Sequence, residues 1–303
     1  MRISTPLIAL LFIFSYSTKS AIYGEDERQL IFNNINEEYR SWAGSILAQL
    51  RPNSLQEING ASYLRTKPLK DHVTNLCEDA PFAGTPTFSK CTAFLVAPDL
   101  IVTAGHCINN QIECLNARWI FTSEVDPNKT MPIIPKRDQV KCKKLLAHRK
   151  NSISKNDYAL IQLENNISHR NPLSYRKNRK IETTKEALLV IGHPTGLPLI
   201  STDQGIILEN RSKVLFKISS DTFGGNSGSP VINPSTGLVE GILTDGDLDY
   251  TLDKEKGCIM PYQCGSLSKC KGENVVRITN IELLAPEMEP IIDPIFNPRT
   301  PRL

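Results

Sequence analysis

The chain has 303 residues, which is enough for one large domain or for two closely packed halves with a substantial core. Its 35 basic and 32 acidic residues leave a formal net charge of +3. So small a net charge excludes binding to nucleic acid or to membranes that is driven by overall charge.

The first 20 residues have the parts of a secretory signal peptide. Arg2 precedes an apolar run over residues 6–14, and small residues then allow cleavage after Ser20 or, alternatively, after Ala21. A membrane anchor is less favoured, because this run is about half the roughly 20 residues that span a bilayer. We therefore expect residues 1–20 to be removed, and the mature chain to be secreted or periplasmic without a membrane anchor.

Residues 21–75 precede the first β-rich stretch and are mixed and largely polar. A helix is predicted over residues 37–50, because the apolar residues there recur at a spacing that places them on one helical face. These apolar residues are Tyr39, Trp42, Ile46, Leu47 and Leu50.

From about residue 86 the chain changes to short β-rich runs separated by turn residues. Runs at 94–96 and 100–102 flank an Ala-Pro-Asp sequence, which predicts a hairpin. Short strands at this spacing predict an all-β sandwich or barrel. The other runs form two sets, at 119–121, 140–146 and 158–163, and then at 187–191, 205–208, 214–218, 231–232, 238–243 and 275–278.

Two stretches are predicted to be connections or ends rather than strands. A charged segment at 177–185 separates the two sets of strands and is the predicted linker between them. Residues 286–303 contain five prolines and little else that could pack, so we expect a Pro-rich, extended tail.

One histidine, His106, lies in a recognisable motif, the TAGHC of residues 103–107 after a predicted strand. An imidazole group with an ordinary pKa near 6.5 can accept a proton from a hydroxyl group and return it to a leaving group near neutral pH. Most histidines are surface or core residues, and the other four show no comparable context. These four are His72, His148, His169 and His193.

Asp157 begins the run DYALI at 157–161, which is acidic at its start and apolar beyond. A buried carboxylate at such a place could hold a histidine in one tautomer and stabilise the charged imidazole. The alternative is an ordinary turn aspartate at the start of a strand.

Residues 225–230, GNSGSP, place Ser227 between glycines on a predicted tight turn. A serine hydroxyl is a poor nucleophile unless its backbone presents it to a base and nearby N–H groups can hold an oxyanion. Ser227 is therefore the candidate nucleophile, with His106 as its base and Asp157 as the orienting carboxylate.

These three motifs, in the order His, Asp and Ser, resemble those of the chymotrypsin-like (trypsin-like) serine proteases, and GNSGSP looks most like the bacterial glutamyl-endopeptidase branch. The resemblance implies an all-β fold with two six-stranded β-barrels and an active site in the cleft between them. The implied boundaries are 76–285 for the peptidase domain, about 76–176 and 186–285 for its barrels, and 21–75 for a segment wrapped around the outside.

The resemblance also implies an oxyanion hole formed by the backbone N–H groups of Gly225 and Ser227, and the chemistry needs no metal or organic cofactor. Asn226 stands where trypsin-type zymogens carry the aspartate that captures a newly cut amino terminus. Activation by a cut before isoleucine is therefore not expected. Residues 21–24 are instead a candidate mature start, as in the glutamyl-endopeptidase branch.

Eight cysteines, an even number, predict disulfides in an exported chain. The resemblance implies that Cys91 pairs with Cys107, and Cys114 with Cys142 is a second candidate pair. A zinc site among the rest is disfavoured, because neighbouring cysteines near the carboxyl end are separated by five residues. The unassigned cysteines are Cys77, Cys258, Cys264 and Cys270.

The sequence gives conflicting indications of substrate preference. Asp221 lies six residues before Ser227, where trypsin carries the aspartate that selects lysine or arginine, but some glutamate-cleaving relatives also have an aspartate there. Those relatives use a histidine where this chain has Leu243, which argues against a glutamate preference. Asp245 and Asp247 would either attract cations or serve only as turn residues. A basic preference is favoured over a glutamate preference, and both stay open. The predicted substrate-binding residues are Asp221, Thr222, Leu243 and Thr244.

Taken together, the sequence predicts a secreted, monomeric serine endopeptidase that hydrolyses proteins or peptides through an acyl-enzyme. The main alternative is a catalytically silent relative that serves as a binding module, although such relatives usually lack one of the three catalytic residues. A hydrolase that acts mainly on esters is a third hypothesis, because the same residues would perform that reaction.

Overall fold

The computed structural model describes residues 22–177, 187–264 and 270–285, except for the side chains of Asp203 and Gln204. The predicted signal peptide, the Pro-rich tail and nearly all of the predicted linker lie outside the described residues. No helix in the described ranges is long and apolar enough to cross a membrane. The helices are α1 (Glu37–Ala43), α2 (Leu69–His72) and α3 (Gln111–Asn116).

The described strands are short, and most of them belong to two antiparallel sheets. In chain order they are β1 (Ile22–Tyr23), β2 (Gln29–Leu30), β3 (Ile46–Leu50), β4 (Leu55–Ile58), β5 (Ala61–Leu64), β6 (Lys67–Pro68), β7 (Pro86–Thr87), β8 (Ser89–Ala97), β9 (Leu100–Thr103), β10 (Arg118–Phe121), β11 (Gln139–Asn151), β12 (Asn156–Leu163), β13 (Leu188–Gly192), β14 (Ile200–Glu209), β15 (Leu215–Ser219), β16 (Pro230–Asn233), β17 (Leu238–Asp245), β18 (Tyr250–Asp253), β19 (Cys258–Pro261), β20 (Gln263–Cys264) and β21 (Glu273–Arg277).

The first barrel is a closed sheet in the strand order β10-β11-β12-β9-β8-β3. The predicted hairpin is confirmed, since β8 pairs with β9 across the turn at residues 98–99. Alternate side chains of a strand point to the same face, so one set of apolar residues fills the barrel. Buried members of that core are Leu47, Leu95, Ile101, Trp119 and Ile161.

The second barrel has the strand order β13-β16-β17-β21-β15-β14, and a further pairing between β13 and β14 closes it. Strand β2, from the amino-terminal segment, adds to the outside of β14. The interior is again apolar, with Val190, Phe216, Ile218, Val231 and Val275 among its buried residues. The predicted fold of two closed six-stranded barrels is confirmed.

The helix predicted over residues 37–50 is confirmed only for its first half, Glu37–Ala43. Helix α1 begins after Asn36, whose side chain accepts the N–H groups of two residues in the first turn, and it ends at Ala43, followed by Gly44 as the cap. After Ser45 the chain forms β3 (Ile46–Leu50), which is buried along its whole length and pairs with both β8 and β10. Pairing on both edges outweighs the helical spacing of the apolar side chains. The predicted boundary near residue 76 is therefore wrong, because the first barrel takes a strand from within 21–75.

The two barrels pack against each other through one continuous apolar cluster. Phe94, Val102 and Leu160 come from the first barrel, and Leu189 and Val276 come from the second. All five side chains are completely buried. Because a close-packed interface resists sliding, the loops at the barrel ends are held at fixed positions relative to one another.

All eight cysteines form disulfides. The two predicted pairs, Cys91–Cys107 and Cys114–Cys142, are confirmed. The remaining four, which the sequence left open, pair as Cys77–Cys258 and Cys264–Cys270, so the zinc alternative is wrong. The first of these bonds ties the segment between β3 and β8 of the first barrel to the separate hairpin of β18 and β19, which lies between β17 and β21 in the chain.

We expect replacement of both Cys77 and Cys258 by alanine to lower the free energy of unfolding by about 2 to 5 kcal/mol, because this bond joins residues 181 positions apart. Urea titration followed by tryptophan fluorescence measures the loss. The matched control is replacement of Cys264 and Cys270, whose bond joins residues only 6 positions apart and should therefore stabilise less. Equal losses in the two double variants would contradict the loop-length explanation.

Candidate active site

His106 and Asp157 form a close pair at the end of the first barrel. Nδ1 of His106 lies 2.6 Å from Oδ2 of Asp157, and Oδ1 of the same carboxylate accepts the backbone N–H of His106 at 2.8 Å. The carboxylate therefore places the ring proton on Nδ1, which leaves Nε2 as the acceptor. Gly105 permits this approach, because a Cβ atom there would lie 2.0 Å from the carbonyl oxygen of Arg149.

Ser227 lies on the turn that leads into β16 of the second barrel. Gly228 has φ +90°, and a Cβ atom there would lie 2.0 Å from the carbonyl oxygen of Thr92, so the turn requires glycine. The Ser227 hydroxyl donates to the carbonyl oxygen of Thr244 at 3.3 Å rather than to His106. Ser227, His106 and Asp157 nevertheless line one cavity of about 630 Å³. A change of serine rotamer can turn the hydroxyl away from Thr244 within this cavity.

The turn over residues 224–227 contains two backbone N–H groups that make no hydrogen bond to the described residues. The carbonyl of Gly224 accepts the N–H of Thr195, and because a trans peptide is planar, the N–H of Gly225 points the opposite way. Among the described residues, no protein acceptor is bonded to the N–H of Gly225 or of Ser227. Two such N–H groups beside a serine hydroxyl match the donors that an oxyanion hole requires.

Residues that no motif predicted hold this peptide in place. Oδ2 of Asp249 accepts the N–H of Gly224 at 2.8 Å, and burial raises the pKa of Asp249 to about 6. Thr195 adopts a positive φ of 51°, which turns its N–H towards Gly224, and its hydroxyl lies 3.0 Å from that of Tyr250. Sequence offered no signal for these roles, because Asp249 and Thr195 are ordinary loop residues until the second barrel brings them together.

Three of the four predicted substrate-binding residues, Thr222, Leu243 and Thr244, line the cavity beside Ser227. The fourth, Asp221, is not among the lining residues and is 3% exposed. Its two carboxylate oxygens instead accept the backbone N–H groups of Tyr23, at 2.8 Å, and of Glu27, at 2.9 Å. Burial raises the pKa of Asp221, and these two N–H bonds oppose that shift.

A second acid, Glu273, lies in the cavity wall and is 3% exposed. Its Oε1 accepts from the Tyr23 hydroxyl at 3.1 Å, and its Oε2 accepts from the Thr222 hydroxyl at 2.8 Å. Burial, with smaller contributions from the negative charges of Asp249 and Asp247, raises the pKa of Glu273 to about 8. Sequence analysis missed this residue, because it looks like an ordinary polar residue at the start of a strand.

The raised pKa of Glu273 predicts that stability falls as pH rises towards about 8. Between pH 4.5 and about 8 the folded chain keeps a proton on Glu273 that the unfolded chain releases. The free energy of unfolding should therefore fall as pH rises through this window, by up to about 1.4 kcal/mol per pH unit. Burial lowers the pKa values of His72 and His193 to about 4, so at lower pH the unfolded chain binds protons at these residues that the folded chain does not. Their effect on the free energy of unfolding therefore opposes that of Glu273 at lower pH only.

Urea unfolding at about pH 7 and about pH 8 reports mainly the effect of Glu273, because both pH values lie above the range in which His72 and His193 oppose it. We expect Glu273→Gln to lose most of the difference in unfolding free energy between these two pH values. The exposed Glu282→Gln is the matched control and should keep it. The explanation fails if both variants keep the full difference.

Comparison with known proteins agrees with this geometry. A family model described as the trypsin-like peptidase domain matches residues 91–242, which is half of the chain. No curated protein matches the chain. Among solved structures, the Vibrio cholerae VesB protease has a TM-score of 0.51 at 14% identity, over 84% of this chain and 66% of that one, and so shares its fold.

A second solved structure, a Glu endopeptidase in complex with MPD, has 17% identity and a TM-score of 0.47, over 85% of this chain and 94% of that one. The family match spans the positions of all three motifs that first suggested a serine protease, and it confirms that prediction. The chain belongs to the trypsin-like peptidase family and is a serine endopeptidase.

Proposed function

We propose that the chain is a secreted endopeptidase that cleaves peptide bonds through a catalytic triad of Ser227, His106 and Asp157. The observation that carries the proposal is the 2.6 Å contact between His106 and Asp157, with Ser227 in the wall of the same cavity. The four disulfides support an oxidising compartment outside the cytoplasm.

Acylation follows from the positions of these groups. Ser227 turns from the carbonyl of Thr244, its Oγ attacks the substrate carbonyl carbon, and Nε2 of His106 takes the hydroxyl proton. The N–H groups of Gly225 and Ser227 hold the resulting oxyanion, while Asp157 stabilises the charged imidazole. The C–N bond then breaks, His106 gives its proton to the leaving amine, and an ester on Ser227 remains.

Deacylation repeats these steps with water as the nucleophile. His106 removes a proton from a water molecule, whose oxygen attacks the ester carbonyl, and the same N–H groups hold the second oxyanion. His106 then returns the proton to Oγ of Ser227 as the C–O bond breaks. The products are a carboxylic acid and the original enzyme, so the cycle requires no further reactant.

We expect Ser227→Ala and His106→Ala to abolish cleavage of a denatured protein mixture, and Asp157→Asn to lower kcat by about 10⁴-fold, because the tautomer of His106 is then no longer fixed. Mass-spectrometric mapping of the cut sites provides the measurement. His72→Ala is the matched control, since His72 does not line the cavity and should leave the map unchanged. A blank map from the correctly oxidised, unmutated chain would favour the silent binding module.

Asp249 is expected to act as a positioning residue for the oxyanion hole. Asp249→Ala removes the acceptor of the Gly224 N–H and loosens the peptide that presents the N–H of Gly225. We expect kcat to fall by about 10- to 100-fold with little change in KM, because the lost interaction matters mainly in the transition state. Steady-state kinetics on a peptide ester separates the two parameters.

The control for this variant is Asp253→Ala, which removes a carboxylate that accepts N–H groups in an exposed turn away from the cavity. It should leave both kcat and KM unchanged. A rise in KM with kcat intact in Asp249→Ala would contradict the positioning role, since it would indicate weaker substrate binding instead.

A further inference from the structure

Besides the triad, the cavity wall contains three carboxyl groups that are largely removed from solvent: Asp247, Asp249 and Glu273. Asp249 has a structural role, because its carboxylate accepts the N–H of Gly224. Neither Asp247 nor Glu273 takes part in the steps of acylation or deacylation. Placing a carboxyl group in a buried position in a cavity wall costs free energy, so the presence of both acids there requires an explanation.

Glu273 begins β21, next to the strand that carries Leu243 and Thr244. Its carboxyl group passes beneath the loop that follows that strand, since a Cβ atom on Gly246 would lie 1.6 Å from Oε2 of Glu273. The absence of a side chain at Gly246 is what makes room for the acid. Glu273 therefore presents its carboxyl group to the cavity between Gly246 and Thr222.

Asp247 is in a similar position, with a side chain that is 3% exposed. Its Oδ2 atom is buried and has no hydrogen-bond partner among the described residues. The nearest cation is Nζ of Lys271, which lies 3.9 Å from the other oxygen, Oδ1. A buried carboxylate oxygen without a donor loses its hydration and gains nothing in return. A donor that enters the cavity would remove this penalty.

The acid expected from the sequence does not supply the charge of this cavity. Asp221 uses both carboxylate oxygens to bind the amino-terminal segment and is not a lining residue. A substrate with glutamate before the scissile bond would meet Asp247 and Glu273, and Leu243 offers it no hydrogen bond. A lysine or arginine side chain would instead bring N–H donors and positive charge to both acids.

We propose that Glu273, together with Asp247, is the specificity-determining charge of the cavity and selects substrates with lysine or arginine on the amino side of the scissile bond. This inference rests on the proposed function. The residue that selects the substrate side chain is then Glu273, the first residue of β21. It is not Asp221, which occupies the position of trypsin's selecting aspartate.

The surroundings of Glu273 make this selection depend on pH. It faces the hydroxyl of Tyr23 from β1 and the carboxyl groups of Asp247 and Asp249 from the loop after β17, while Lys271 precedes it on its own segment. In the empty cavity Glu273 keeps its proton at neutral pH, because its pKa is about 8. An entering cation favours the carboxylate, so binding releases a proton.

The first test measures binding without cleavage. Benzamidine, a cation, and benzamide, its neutral counterpart, are titrated calorimetrically into Ser227→Ala in two buffers of different ionisation enthalpy. We expect benzamidine alone to bind, with release of close to one proton at about pH 7. Adding Glu273→Gln should abolish the proton release and weaken binding by roughly 30-fold or more.

Two further variants test the second acid and control for a general effect of removing a carboxylate. Asp247→Asn alters the second acid with a smaller change of shape and should also weaken benzamidine binding, while proton release persists. Glu282→Gln lies on the exposed surface and should change neither quantity. Equal binding of benzamide and benzamidine would overturn the inference. So would undiminished benzamidine affinity and proton release in Glu273→Gln.

The second test uses peptides that differ only in having arginine or glutamine before the scissile bond. The ratio of their kcat/KM values cancels any pH dependence of the catalytic steps that the two peptides share, so it reports the selecting charge. We expect the ratio to rise between about pH 7 and about pH 9 in the unmutated chain, and to be lower and independent of pH in Glu273→Gln.

The two tests separate the inference from the proposed function. If benzamidine binds Ser227→Ala with proton release but the unmutated chain cuts nothing, the proposed function fails and the cation site is supported. If the chain cuts peptides through Ser227 with no preference for arginine over glutamine at any pH, the proposed function is supported and the inference is overturned.

Discussion

The apolar contact between the two barrels is the constraint on which the rest of the molecule depends. His106 and Asp157 belong to the first barrel and Ser227 to the second, so their common cavity exists only while the barrels keep one relative position. Completely buried side chains such as Leu160 and Leu189 fill that contact. Their packing holds the two barrels at one relative position, and with them the three side chains of the proposed triad.

The amino-terminal segment is a second structural support for the cavity. Tyr23 donates its backbone N–H to Asp221 and its hydroxyl to Glu273, and so links two acids of the second barrel. The guanidinium group of Arg28 lies 4.3 Å from the ring centroid of Phe223, two residues after Asp221. Residues that follow the predicted signal peptide thus contact Glu273 in the wall of the cavity that Ser227 also lines.

Sequence reasoning succeeded where a local motif sets the geometry and failed where distant strands do. The hairpin from β8 to β9 depends on neighbouring residues, and the glycines around Ser227 belong to one contiguous motif, so the sequence predicts both. Residues 46–50 fit a helical spacing equally well, and only pairing with β8 and β10 makes them a strand. Glu273 gave no signal, because its burial depends on Gly246 and Tyr23, which are far away in the chain.

The sequence by itself carried three short motifs that resemble those of the family, because residues around a catalytic group must occur in a contiguous stretch. The two-barrel fold and the Cys91–Cys107 pair followed from that resemblance, and Cys114–Cys142 was a further candidate pair. The tertiary structure alone decided that Asp221 binds backbone N–H groups, while Glu273 and Asp247 face the cavity. The physical reason is that the role of a carboxyl group depends on the donors within about 3 Å of it. Those donors come from segments that only folding brings together.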